Sequence, residues 1–322
     1  MEYIRDGAGL EAMAVRIGDA PLVGVDTEAA GYHRYFDRVC VVQVSTRAET
    51  FVIDTLAVSD LTPLRPLLAD PAVEVVFHDA DYDLRLMDRD FGIGVGGLFD
   101  TKIAAQFLGE PAIGLASLVE KYLGVKLEKK YQRADWAQRP LPAGLVEYAA
   151  EDTRYLPALR DRLRDELRAR GRLGWAEEEF RIQETVRWSG NGADPDAYLR
   201  VKGTRDLLGR NLAAFRELYA WREALARERD VAPFRVISNE ALIEIARAMP
   251  RSAAQLAELA GVPRAVAERH RPDLLAAVER ARQIPERELP VRPRGPGRPA
   301  PDPAFDERLE RLKVARDRVA EK

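Results

Sequence analysis

The run LVGVDTEAAG, residues 22–31, ends an apolar segment in two carboxylates set two positions apart. A run of this kind reads as a strand, and side chains at i and i+2 on a strand project from one face. Asp26 and Glu28 are thus expected within a few ångströms of each other, where two bare anions repel. Such a pair is stable when solvated at a strand end, bridged by a base, or holding a cation. Two other segments offer acids on suitable elements. In VVFHDADYDLRLM, residues 75–87, an apolar strand runs into Asp79, Asp81 and Asp83 ahead of a helix, the strand-end position where sites gather in sheet proteins. In VEYAAEDTRYL, residues 146–156, Tyr148 and Asp152 are four apart and share one helix face. Each signal alone has an ordinary explanation: chance spacing, an Asp81 or Asp83 N-cap, a surface Tyr and Asp. Their joint occurrence, in this order and on these elements, points to one acidic constellation.

The elements that must position these acids follow from the pattern. PLVGVDTE, RVCVVQVST, TFVIDT, VEVVFH and VGGLFDT read as strands, with LTPLRPLLAD and YDLRLMDRDFG as helices between them. The first three strands are too closely spaced for helical crossovers and should be antiparallel; the later ones have room for crossovers and should run parallel. A mixed β-sheet with flanking helices results, an α/β class. From GLASLVEKYLG onward the chain is almost wholly helical, with a break at Pro157. The expected organisation is a domain over 1–170, a helical or irregular connector over 171–205, and an all-α bundle over 206–288. Breaks at DVAPF, MPRS and GVP divide that bundle into four or five helices. A Pro/Gly/Arg-rich linker should span 289–303, and a helical segment 304–322, the start of a second such bundle.

Composition bounds the function. The 322 residues are 46% hydrophobic and 32% charged, enough for two cores. No apolar run reaches the roughly 18 residues needed to cross a bilayer, so no membrane partner and a cytoplasmic location are expected. The lone Cys40, inside VCVVQV, reads as a small core side chain. The net charge of −3 conceals 17 basic against 25 acidic residues in 1–160, or −8, and 33 against 28 in 161–322, or +5. The basic half is suited to attracting a polyanion.

VDTE, FHDADYDL and YAAEDTRYL resemble the three motifs of the DEDDy family of 3′–5′ exonucleases, whose fold is ribonuclease H-like, and within it the ribonuclease D family. CVVQVST, FVIDTL, LFDTKIAA and KKYQRADWAQRPL add to the likeness, which covers about residues 1–205. The resemblance implies that Asp26, Glu28, Asp83 and Asp152 are the metal-binding acids and Tyr148 the accompanying catalytic tyrosine. Asp83 is preferred to Asp81 because the family's acid precedes an aliphatic residue, here Leu84. It also implies two divalent metal ions, Mg²⁺ or Mn²⁺. Two such ions supply a nucleophile at neutral pH and stabilise a more negative transition state, and hard cations of this size prefer oxygen ligands. In this reading Asp26 bridges the ions, Glu28 and Asp152 complete the site beside the attacking water, Asp83 holds the second ion, and Tyr148 orients the water.

Residues 206–285 resemble an HRDC bundle, with Trp221, Arg222, Pro233 and Leu242 among the matching positions. The implied partners are single-stranded RNA 3′ ends, tRNA precursors among them, with release of 5′-mononucleotides and no obligate protein partner. The rival readings are the same chemistry on DNA and a non-catalytic nucleic-acid-binding scaffold. Candidate substrate contacts are His33, Arg34 and Tyr35 just after the first motif, Gln43, His78, Lys130 and Arg133. A solvated loop is the alternative for the first three, buried backbone for Gln43, and support of the second motif's turn for His78. GIGVGG, residues 92–97, satisfies a dinucleotide-loop spacing, but a helix precedes it and a strand follows, the reverse of what phosphate capture requires.

Overall fold

Six strands form one mixed sheet in the computed structural model, which describes residues 1–128, 130–190, 194–293 and 302–320. They are β1 (Glu2–Ile4), β2 (Leu22–Ala29), β3 (Val39–Ser45), β4 (Thr50–Asp54), β5 (Glu74–Phe77) and β6 (Leu98–Asp100), in spatial order β1-β4-β3-β2-β5-β6. β2, β3 and β4 pair antiparallel, whereas β5 runs parallel to β2 and β6 parallel to β5, as their spacing predicts. The pattern does not anticipate the three-residue β1, which lies parallel to β4, or the helix α1 (Gly7–Ile17) that follows it. A strand that short carries no periodicity. Only the Asp6 side chain, accepting from Gly9 N at 2.8 Å, marks the start of α1 locally.

Strand alternation sorts the core onto two faces. Val23, Val25, Val42, Val44, Phe51, Ile53, Val75 and Phe77 pack on one side with α1, α2 (Arg65–Leu68) and α3 (Asp81–Phe91). The other side is covered by α4 (Thr101–Leu108), α5 (Leu115–Leu123), α6 (Ala143–Arg154), α7 (Leu156–Ala169) and α8 (Leu173–Gln183). β2 lies inside the sheet, so helices from both faces converge on its C-terminal end. Pro157 stands in the first turn of α7, where its missing N–H costs nothing, and the chain turns between α6 and α7 just before it.

The junction of α6 and α7 crosses β2 at Gly24. A Cβ there would stand 2.9 Å from Leu156 Cβ and 3.1 Å from the Thr153 carbonyl oxygen. A second tie lies on the same face, where the buried hydroxyls of Ser45 on β3 and Thr153 on α6 are 2.7 Å apart. The residues that follow α5 are held against the sheet by Arg139, whose guanidinium donates to both Asp54 oxygens at 2.7 Å and to the Cys40 carbonyl at 2.9 Å. Burial alone would raise the Asp54 carboxyl, but hydrogen bonds from Arg139 and Tyr3 hold it below the usual range. Cys40 is buried, as expected. In GIGVGG, Gly97 has φ +60° and leaves no room for a side chain beside the Val73 carbonyl, so its glycine serves a turn into β6.

The chain divides into two compact units, residues 1–195 with 219–241 and residues 196–218 with 242–322. Residues 206–285 form six helices rather than four or five: α9 (Gly209–Glu228), α10 (Pro233–Val236), α11 (Asn239–Ala248), α12 (Ala253–Ala257), α13 (Arg264–Arg269) and α14 (Arg271–Gln283). Pro233 opens the short α10, the Ser252 side chain caps α12, and Pro272 starts α14 directly after α13. In the second unit Arg210 donates to the Arg282 and Ile284 carbonyls at 2.5 and 3.0 Å, satisfying the end of α14. Most of the expected linker, residues 294–301, lies outside the described residues. Helix α15 (Pro303–Ala320) buries none of its side chains. No helix among the described residues is long and apolar enough to cross a membrane.

Gly24→Ala is expected to destabilise the chain by about 1–3 kcal/mol, because the strand and the α6–α7 junction must part to admit a methyl. Urea denaturation measures this, and a loss under about 0.5 kcal/mol, the range of a neutral substitution, would show that the close approach is not a constraint.

Candidate active site

Asp26 and Glu28 stand on the α6 face of β2, and the strand register places Gln43 of β3 directly across from Asp26. A bulge between Glu28 and Ala29 ends the regular pairing just past the two acids. Asp152 approaches from the last turn of α6, fixed by the ties at Thr153 and Leu156. Asp26, Glu28 and Asp152 each offer one carboxylate oxygen within 4.8 Å of the others. Asp83 arrives from α3, on the opposite face of the sheet, and accepts a hydrogen bond from the Thr27 hydroxyl at 2.5 Å. Thr27 lies between Asp26 and Glu28 and so points to the α3 side. Asp81 turns outward into an ion pair with Arg85 at 2.9 Å, which lowers its carboxyl.

Asp100 positions the second motif. Fully buried at the end of β6, it accepts from Asp79 N and Ala80 N at 3.1 and 2.8 Å and from Lys102 N and Ile103 N at 2.7 and 3.2 Å. One carboxylate thus caps α4 and holds the turn before α3, in which Asp79 takes the left-handed φ of 68°. His78 Nδ1 lies 2.9 Å from Thr101 Oγ1, and burial lowers its imidazole, keeping the ring neutral. Lys102 pairs with Asp79.

The four acids share one electrostatic condition. Burial raises Asp26 well above the usual carboxylate range, and the negative charges of Asp83, Asp152 and Glu28 raise it further. Glu28 is raised by burial, then by Asp152 and Asp83. Burial pushes Asp83 and Asp152 up to about 7. No Lys or Arg side chain among the described residues is ion-paired with any of the four. An oxygen-only pocket with this charge suits hard divalent cations, so the residues present fit a metal site.

Tyr148 is buried one turn before Asp152, its ring 5.7 Å from that of Tyr131 and 6.2 Å from that of Trp136. Burial and the three neighbouring carboxylates Asp152, Glu28 and Asp26 hold its phenol well above the ordinary range. The cleft of about 660 Å³ over these groups is also lined by Tyr32, His78, Tyr82, Ser117, Glu128 and Gln132. Of these, His78, Tyr82 and Gln132 lie inside the quoted motifs, and only His78 is among the expected substrate contacts.

The other expected contacts are dispersed. Gln43 is fully buried, with no hydrogen-bond partner for its amide, so burial beneath the acids takes it out of reach of a substrate. His33 Nε2 lies 2.9 Å from the Arg133 carbonyl, and Arg34 pairs with Asp135 at 2.7 Å. The Tyr35 ring lies under Arg227 at 5.3 Å, and Lys130 over Tyr131 at 5.1 Å. The Arg133 guanidinium faces the Tyr32 ring at 5.8 Å.

Residues 1–168 match the 3′–5′ exonuclease family, a metal-dependent family, and residues 211–278 match the HRDC domain family. The chain is 36% identical over 314 residues to ribonuclease D of Granulibacter bethesdensis, covering 95% of this chain and 78% of that protein. The crystal structure of Escherichia coli RNase D, an exoribonuclease involved in structured RNA processing, superposes with a TM-score of 0.73 at 32% identity, over 99% of this chain and 84% of that one. The catalytic core of RRP6 from Trypanosoma brucei gives 0.74 at 33% identity, over 87% and 79%. Likeness in sequence and in fold, sustained along nearly the whole length and around a pocket of four acids, makes the chain a member of the ribonuclease D family of 3′–5′ exoribonucleases.

Proposed function

We propose that Asp26, Glu28, Asp83 and Asp152 hold two divalent ions, Mg²⁺ or Mn²⁺, and that the enzyme releases 5′-mononucleotides from single-stranded RNA 3′ ends, those of tRNA precursors among them. The observation that carries this reading is the convergence of three carboxylate oxygens within 4.8 Å, from β2 and α6, with no basic side chain among the described residues ion-paired with them. Asp26 feels the charges of Asp83, Asp152 and Glu28, which puts it central among the acids that would hold the ions. Bound ions of this kind supply a nucleophile at neutral pH and offset the charge that develops on the phosphoryl oxygens. The names of the relatives favour RNA over DNA.

The side chains do the rest. Thr27 fixes the Asp83 carboxylate through its hydroxyl. Tyr148 remains a neutral phenol at working pH, so it acts as a hydrogen-bonding group that orients the attacking water, not as its base. Tyr131 and Trp136 hold the phenol ring in place by packing.

Asp26→Asn is expected to lower kcat/KM on a 3′-tailed single-stranded RNA by roughly 10³-fold or more, and Tyr148→Phe by on the order of 10²-fold. Product sizing at single-nucleotide resolution with Mg²⁺, Mn²⁺ and chelator measures both, and full activity of Asp26→Asn would end this assignment.

Proton linkage gives a second test that does not depend on activity. Asp83 and Asp152 stand at about 7 in the folded chain, against an ordinary carboxylate value near 4 in the unfolded one. Between those values the folded state binds more protons, so the contribution of these two groups to stability is fully present below about pH 4 and is lost as pH rises through about 7. The metal-free protein should therefore lose on the order of 5 °C in Tm between pH 5 and 8 at constant ionic strength. Mg²⁺ at pH 8 should restore it and Asp152→Asn should make the profile shallower, with Asp83 still titrating; a level metal-free profile would refute the raised carboxyls.

A further inference from the structure

The loop that follows β2 carries Tyr32, whose ring is 41% exposed and forms part of the cleft wall with Asp26 and Glu28. Beside it lies Phe234, 50% exposed, with the two ring centroids 5.4 Å apart. Two guanidinium groups border these rings: Arg235 is 5.1 Å from the Tyr32 centroid and 5.7 Å from that of Phe234, and Arg133 is 5.8 Å from Tyr32. Neither arginine is ion-paired with a carboxylate among the described residues, in contrast to Arg34, which pairs with Asp135 nearby.

This arrangement is built rather than incidental. The Asp230 carboxylate accepts from the backbone N–H groups of Tyr35 and Phe36, both at 3.2 Å. Ala232 N donates to the His33 carbonyl at 3.2 Å, and Arg235 Nε to the Tyr32 carbonyl at 3.0 Å. Four hydrogen bonds to backbone thus fix residues 230–235 on the loop of the first motif, and Asp230 adopts the left-handed φ of 46° to make its two. Adjacent aromatic rings about half exposed to solvent, with guanidinium groups over them that have no carboxylate partner among the described residues, match the chemistry of a single nucleic-acid strand, which offers a stacking face on every base and an anion on every link.

We propose that Tyr32 and Phe234 stack the bases of the nucleotides immediately 5′ of the one being removed, while Arg133 and Arg235 neutralise their phosphates. Residues 230–235 lie within the stretch that matches the HRDC family, so part of that stretch serves the exonuclease cleft directly. The proposal rests on the exoribonuclease reading above and adds the track by which the strand reaches the acids. It predicts that catalytic efficiency rises with RNA length over the first few nucleotides, until the platform is filled.

The test compares kcat/KM on a two-nucleotide and a ten-nucleotide single-stranded RNA with Mg²⁺ at fixed salt, using the full chain. Stacking is worth about 1–3 kcal/mol per base, so Phe234→Ala should lower the long-to-short ratio by roughly 5- to 150-fold, and Phe234→Tyr, which keeps the ring, should retain most of it. A 4-thiouridine placed one or two nucleotides from the 3′ end should photocrosslink to Tyr32 or Phe234 in the wild-type chain, a readout that needs no variant to fold. An unchanged ratio in Phe234→Ala, an equal loss in Phe234→Tyr, or crosslinks confined to other segments would overturn the platform. Failure of the wild-type enzyme to shorten either RNA would instead overturn the reading on which it rests.

Discussion

Mutual repulsion among carboxylates is the constraint that the rest of this structure answers. Four acids are brought into a pocket that removes them from much of the surrounding water; burial drives every one of them toward the protonated form, and the charges of the neighbouring site acids push Asp26 and Glu28 further. Nothing local favours that arrangement. It persists because packing on both faces of the sheet meets at the end of β2. The α6–α7 junction presses against Gly24 with no space for a methyl, the Ser45 and Thr153 hydroxyls join α6 to β3, and Asp100 holds the turn that starts α3. Repulsion held in this way leaves an oxygen-lined acidic pocket of the kind that could bind metal.

The wall around Tyr148 shows the same logic with apolar material. Trp136 is only 2% exposed and packs on the tyrosine ring, while Arg139 bonds to Asp54 and to the backbone of β3 and so holds the segment that carries Trp136. A phenol near several carboxylates keeps its proton, and its position is set by rings several residues away. The placement of this phenol thus depends on Tyr131, Trp136 and Arg139, which do not line the cleft.

Charge by itself does not mark the RNA-facing surface. The chain holds 50 basic residues, and many of its arginines are engaged in ion pairs or bonded to carbonyls at helix ends, Arg47, Arg164 and Arg210 among them. What distinguishes Arg133 and Arg235 is the absence of a carboxylate partner among the described residues, together with a place over exposed aromatic rings at the cleft. His33, Arg34 and Tyr35 occupy the same loop, but their side chains or backbone are bonded to neighbouring segments, so they shape the loop more than they extend from it.

Side-chain spacing within single elements was readable directly. The i, i+2 pair on β2, the i, i+4 pair on α6 and the directions of five strands all depend on local periodicity and connection length, which a linear chain displays. β1 and α1 were not legible, because three residues have no period, and the single-turn α10 and α12 were too short to separate from the turns beside them. The burial of Gln43 was hidden for another reason: its strand is buried on both faces, and only the pairing of β3 with β2 shows that its amide lies beneath Asp26. The outward turn of Asp81 toward Arg85, the clamp of Asp100 on a backbone twenty residues away, and the meeting of Tyr32 with Phe234 likewise depend on which elements face each other. Local spacing determines the face of its own helix or strand on which a residue lies; only packing, which acts between segments far apart in the chain, decides what that face meets.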